Sequence, residues 1–99
     1  MEITIRDKKY KIIKDYGETV RESNLEELVT NYYDNFDYIV GDWAYGKLRL
    51  KGFYNKTNKL VKSFNNIENV EDYIQNNCAY GCKYFILEKV KNNEVEKEA

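Results

Sequence analysis

Residues Lys47-Leu48-Arg49-Leu50-Lys51 alternate cation and leucine without a break. Successive side chains of a strand point to opposite faces, so the run predicts a strand with Leu48 and Leu50 buried and three cations in water. A strand wet on one face belongs to an antiparallel sheet. That constrains the rest of the chain, because 99 residues have room for one hydrophobic core and not two. An aromatic content of 15%, with ten tyrosines, argues against disorder and supplies rings that can serve core and rim alike.

The other elements follow from spacing. Ile3 and Ile5 share one face against Thr4 and Arg6, Asp7-Lys8-Lys9 can turn, and Tyr10 to Lys14 reads as a second strand, so residues 2–15 predict a hairpin. Leu25, Leu28, Val29, Tyr32, Tyr33 and Phe36 keep the interval of one helical face, and Ser23 with Glu26 makes an S-x-x-E capping box. Together they predict a helix over about residues 24–35. Asp37 to Val40 precede a loop, Gly41-Asp42-Trp43-Ala44-Tyr45-Gly46, and Gly52 interrupts the alternating strand as a bulge would. Leu60 to Phe64 can return as another strand. Val70, Tyr73, Ile74 and Cys78 predict a second helix over about 69–78, capped by Asn69 and ended near Gly81. Cys82 to Leu87 then reads as an inner strand.

The expected architecture is α+β: a single domain over residues 1–90, in the order ββαββ(β)αβ, mainly an antiparallel sheet with two helices packed on one face. Residues 91–99 are a charged tail with little to bury, expected to be disordered. The N-terminus lacks the basic and apolar regions of a signal peptide, and no apolar run approaches the roughly 18 residues of a membrane helix. The expectation is a cytoplasmic protein without membrane contact, a monomer, with Cys78 and Cys82 as free thiols.

Two stretches resemble the YutD-like family of Gram-positive bacteria. One runs unbroken from Asp37 through Gly41-Asp42-Trp43-Ala44-Tyr45-Gly46 to Leu50-Lys51-Gly52-Phe53, and the other is Asn77-Cys78-Ala79-Tyr80-Gly81-Cys82-Lys83-Tyr84-Phe85. The resemblance covers roughly residues 9–90. It implies a small cytoplasmic α+β protein and brings no activity, cofactor or catalytic residue to carry over.

Charge is distributed unevenly. From Lys47 to Ser63 there are six cations and no acid, whereas Asp15 to Gly46 holds eight acids against Arg21 alone. Lys47, Arg49 and Lys51, with Phe53 and Lys56 close by, could receive phosphates and stack bases, which points to RNA or a ribonucleoprotein. The plainer reading of the same face is a sheet surface made soluble by lysines, or one that pairs with the acids of the first helix. The overall pI of about 5.5 counts against a dedicated nucleic-acid binder. Lys51-Gly52-Phe53 begins like an RNA-recognition signature, but Tyr54, Asn55 and Lys56 depart from it.

In the glycine-flanked loop, Asp42, Trp43 and Tyr45 could form a recognition surface beside Arg49. Alternatively, Trp43 caps the core and Asp42 fixes a turn. Trp43, Tyr45 and Tyr54 would also anchor a protein partner, since aromatic residues dominate binding hot spots. Cys78 and Cys82 are one residue too far apart for a C-x-x-C motif; they are either buried fillers or a redox pair. Histidine is absent, which removes the usual general base and the commonest metal ligand, and Asp37 and Asp42 are not an evident catalytic pair. The chain therefore reads as a non-enzymatic binding or adaptor module, without cofactor or metal. RNA is the leading partner, a protein partner the rival, and an enzyme acting on a small phosphorylated substrate the third choice.

Overall fold

The computed structural model describes residues 2–17, 19–20, 24–44, 46–77 and 82–90. The expected hairpin forms as β1 (Glu2–Ile5) and β2 (Lys8–Tyr16), with Ile5 opposite Lys8. Its two-residue turn places Arg6 and Asp7 at φ of 50° and 70°, the left-handed pairing that matches the twist of a hairpin. Arginine is a poor residue for that conformation. It is held there because its backbone N–H donates to Glu26 Oε2 and its Nε donates to the carbonyl of Val29 at 3.0 Å.

Those bonds bear on the next element. The expected helix over 24–35 is instead a short helix, α1 (Leu25–Leu28), followed by a 3-10 turn at Asn31–Asn35. Val29, β-branched and buried, leaves the helix with an extended backbone and gives its carbonyl to Arg6. Because the helix breaks, Leu28 and Tyr32 turn outward while Leu25 and Val29 stay in the core. Asn24 stands before the first turn with its side chain on Glu27; Ser23 of the expected capping box lies outside the described residues.

Strands β3 (Tyr38–Ala44), β4 (Lys47–Phe53) and β5 (Tyr84–Lys89) complete a wholly antiparallel sheet in the order β1-β2-β5-β3-β4. β5 is the inner strand its apolar run predicts, with Phe85 and Leu87 on one face and Ile86 on the other. The expected loop over 41–46 is largely strand. Gly41, Asp42 and Trp43 lie within β3, in register with Leu50, Arg49 and Leu48. Gly41 is needed for space, since a Cβ there would come within 2.2 Å of the Phe85 ring.

Gly52 likewise makes no bulge. It pairs in regular register with Ile39, and the Phe36 ring occupies the place of its missing side chain. The bulge falls in β2, where Ile13 is the extra residue between Ile12 and Lys14.

The α+β class and the antiparallel sheet are as expected, but the two helices lie on opposite faces. Ile39, Leu48, Leu50, Phe85 and Leu87 pack beneath Leu25 and Val29 of the 19–36 segment. Val40, Phe53 and Ile86, on the reverse face, pack beneath Val70, Tyr73 and Ile74 of α2 (Val70–Asn77). The expected strand over 60–64 is absent. Tyr54 instead makes a single parallel bridge to Asn66, its N–H reaching the Asn65 carbonyl at 2.7 Å. The chain there runs through 3-10 turns at Ser63–Asn65 and Ile67–Asn69 into α2. No helix among the described residues is long and apolar enough to cross a membrane.

Gly41→Ala should destabilise the protein by about 2 kcal/mol or more through the Phe85 clash, whereas Ile13→Thr at the exposed bulge should stay within about 0.5 kcal/mol. Urea denaturation of the two variants checks both.

Candidate functional site

The alternation of β4 does put Lys47, Arg49 and Lys51 on one face, but α2 and the segment leading to it cover much of that face. Asp42 stands directly opposite Arg49 in the ladder and is fully buried. Its Oδ2 receives the Arg49 guanidinium at 2.6 Å, and its Oδ1 lies 3.4 Å from the Tyr73 hydroxyl, which donates to it. The carboxylate is thus buried with a charged partner and a phenol around it, which is what keeps a buried charge tolerable. Arg49 remains 44% exposed, with its guanidinium committed to that pair.

Lys51 differs again. Its Nζ sits 5.5 Å from the Phe53 ring, 5.5 Å from the Phe64 ring and 5.3 Å from the Tyr73 ring, within cation–π range of all three. Lys56 pairs with Glu68 at 3.4 Å on the surface. The expected row of three cations side by side in water is therefore replaced by a graded one: Lys47 exposed, Arg49 ion-paired, Lys51 half-buried against rings. Nothing in the alternation could show this, because the covering rings come from α2 and from the 63–65 turn.

Two of the aromatic residues named from sequence are placed inward. Phe53 and Tyr54 are buried, and Tyr54 stacks on Phe36 at 4.8 Å between centroids. Trp43 is half-buried, with an indole N–H that has no hydrogen-bond partner among the described residues. Tyr45 and Cys78 lie outside the described residues. Cys82 is disulfide-bonded, which corrects the free thiol expected of it. Asp37 serves a turn, accepting the Asn55 N–H at 2.8 Å and the Asn58 amide at 3.0 Å.

The two most exposed large apolar side chains among the described residues lie along the outer edge of β4. Among the described residues this strand has a strand neighbour on one side only. Tyr32 is 68% exposed and packs on Phe36 over Gly52, and Phe64 is 66% exposed and packs on Lys51, so they flank that edge from opposite faces of the sheet. Between them runs an open groove of about 300 Å³, lined also by Phe36, Leu50, Gly52 and Tyr54. Neither ring was singled out by sequence. Tyr32 sits at a core position of a helix that breaks before reaching it. Phe64 had a usable signal, being an aromatic set among Ser63, Asn65 and Asn66. A second cleft, of about 390 Å³, lies among Lys11, Asp37, Tyr38, Glu88 and Lys89, where charges of both signs mix.

A family model described as "Putative antitoxin YutD-like" matches residues 4–88. The chain belongs to the YutD-like family. One relative, named "Putative antitoxin YutD" from Bacillus subtilis (strain 168), is 32% identical over 89 residues, covering 90% of this chain and 98% of the relative. The solution NMR structure of the B. subtilis protein yutD superposes with a TM-score of 0.75 at 31% identity, over 92% of this chain and 83% of that one. The YutD-like match spans β3 and β4, the buried Asp42–Arg49 pair and the β4 edge.

Two predictions follow from the pair beneath that edge. Arg49→Met should cost about 3 kcal/mol by leaving the Asp42 carboxylate buried without its cation, and adding Asp42→Asn should recover part of it; a double-mutant cycle by chemical denaturation reads the coupling. The second concerns Tyr73. Burial first, then the charge of Asp42, raises its phenol pKa, against an opposing pull from Arg49. Below about pH 10 folded and unfolded protein both hold the phenol proton, and the contribution to stability is intact. Above that the unfolded chain releases its proton first, so stability falls as pH climbs towards the raised folded value. Tyr73→Phe should flatten part of this alkaline fall, which a denaturation series from about pH 9 to about pH 11 measures.

Proposed function

We propose that this YutD-like protein is a non-enzymatic binding module of the cytoplasm that holds a partner protein along the β4 edge. The observation that carries the reading is the contrast between the strand's cations and its flanking rings. Arg49 is tied to Asp42 and Lys51 to three rings, while Tyr32 and Phe64 are largely exposed on either side of a strand edge that has no strand partner among the described residues. Large rings exposed next to a groove are what protein recognition uses, and phosphate binding instead needs cations at liberty. The antitoxin name carried by the family fits a protein that acts by engaging another one.

RNA is the weaker reading on the same grounds. In this proposal Asp42 holds Arg49 from behind, the water-facing parts of Lys47, Arg49 and Lys51 form the rim that meets the partner, and Trp43, Phe53 and Lys56 have no direct contact with it.

The test is affinity capture from nuclease-treated lysate of the source cell, using intact protein and Tyr32→Ser/Phe64→Ser. The double variant should keep its stability to within about 1 kcal/mol because both rings are exposed, and should lose the captured protein. Capture that survives the double substitution, or that vanishes with nuclease, rules the proposal out.

A further inference from the structure

Resting on that reading, we infer what the partner offers: an extended segment with acidic side chains at alternate positions, added to β4 as a sixth strand. β4 is seven residues long and keeps an unbroken register with β3, so its outer row of backbone N–H and C=O groups is regular. The opposite edge, β1, has only four residues. A strand paired to all of β4 would span about 24 Å and satisfy that outer row.

The two faces of β4 specify what such a strand carries. On one face stand Leu48 and Leu50, with Tyr32 and Phe36 beyond them; on the other stand Lys47, Arg49 and Lys51. Directly paired residues of neighbouring strands share a face and interact. An added strand therefore places every second side chain beside Lys47 and beside the parts of Arg49 and Lys51 that their contacts with Asp42 and the rings leave in water, and the intervening ones beside leucine and tyrosine. Acidic and apolar residues in alternation satisfy both.

The same charges exclude a second copy of this chain. Antiparallel self-pairing about Arg49 would set Arg49 against Arg49 and Lys47 against Lys51, like charges in direct opposition. Lysine on an edge is a known guard against indiscriminate pairing. Here the segment from Lys47 to Ser63 carries six cations and no acid, so the guard is also a selector.

The experiment titrates labelled peptides into the intact protein, read by fluorescence polarisation, with hydrogen exchange of the β4 amides in parallel. The probe is Glu-Val-Glu-Tyr-Glu-Val-Glu; its control has the same composition with valines and tyrosine in one block and glutamates in the other. Binding of the alternating peptide, slowed exchange at alternate residues of 47–53, and no binding of the blocked peptide are expected. Two N-methyl groups on the peptide edge that faces β4 should weaken binding at least about tenfold through lost hydrogen bonds, and two on its other edge should leave it unchanged. Lys47→Glu should weaken binding about threefold, as a rim charge does.

Equal effects of the two N-methylation patterns, or binding without β4 protection, overturn strand addition. So does a concentration-dependent dimer of the protein alone that protects β4. If neither peptide binds while capture of a partner still depends on Tyr32 and Phe64, the acidic strand is wrong and the binding module stands. If capture ignores those two rings, both fall.

Discussion

The ion pair between Asp42 and Arg49 is the constraint around which the reverse face of the sheet is arranged. A fully buried carboxylate within β3 is tolerable only with a cation and a hydrogen-bond donor at hand. β4 supplies the first from the directly opposite position and α2 supplies the second through Tyr73. Strand pairing, helix docking and charge compensation thus meet at one side chain. Once Tyr73 is held there, its ring also completes the set of three around Lys51. The basic strand becomes part of the architecture, and the surface left to meet a partner shifts to the edge.

Sequence periodicity revealed the elements whose signal is local. The β1–β2 hairpin, the alternating β4, α2 and the inner β5 all follow from spacing, because each displays its own buried face. It misled where a distant group decides. The stripe from Leu25 to Phe36 has helical intervals throughout, yet Val29 leaves the helix for the core, with its carbonyl taken by Arg6 from another part of the chain. Gly41 and Gly52 read as loop and bulge because a glycine in sequence looks permissive. In the fold each is a vacancy that a phenylalanine ring from elsewhere fills.

The candidate surface was half legible for the same reason. Alternation correctly placed Lys47, Arg49 and Lys51 on one face, and the run of cations without an acid was visible at once. Their differing environments depend on α2 and the 63–65 turn crossing that face, a tertiary fact. That β4 lies at the edge of the sheet depends on strand order, which period alone does not specify. The helices taking opposite faces follows from both faces of β3 and β5 being apolar: Ile39 and Val40 are each fully buried, one on each side, as are Phe85 and, in part, Ile86.

The position of β5 has a consequence for how the molecule is made. It follows every other described element in the chain, yet lies between β2 and β3 at the middle of the sheet. The two earlier hairpins share no strand boundary until it arrives. During synthesis each is a two-stranded ribbon, too small to be stable alone, and the inner edges of β2 and β3 wait unpaired. Closure of the sheet is then a late, long-range event, possible only once the residues of β5 have cleared the ribosome.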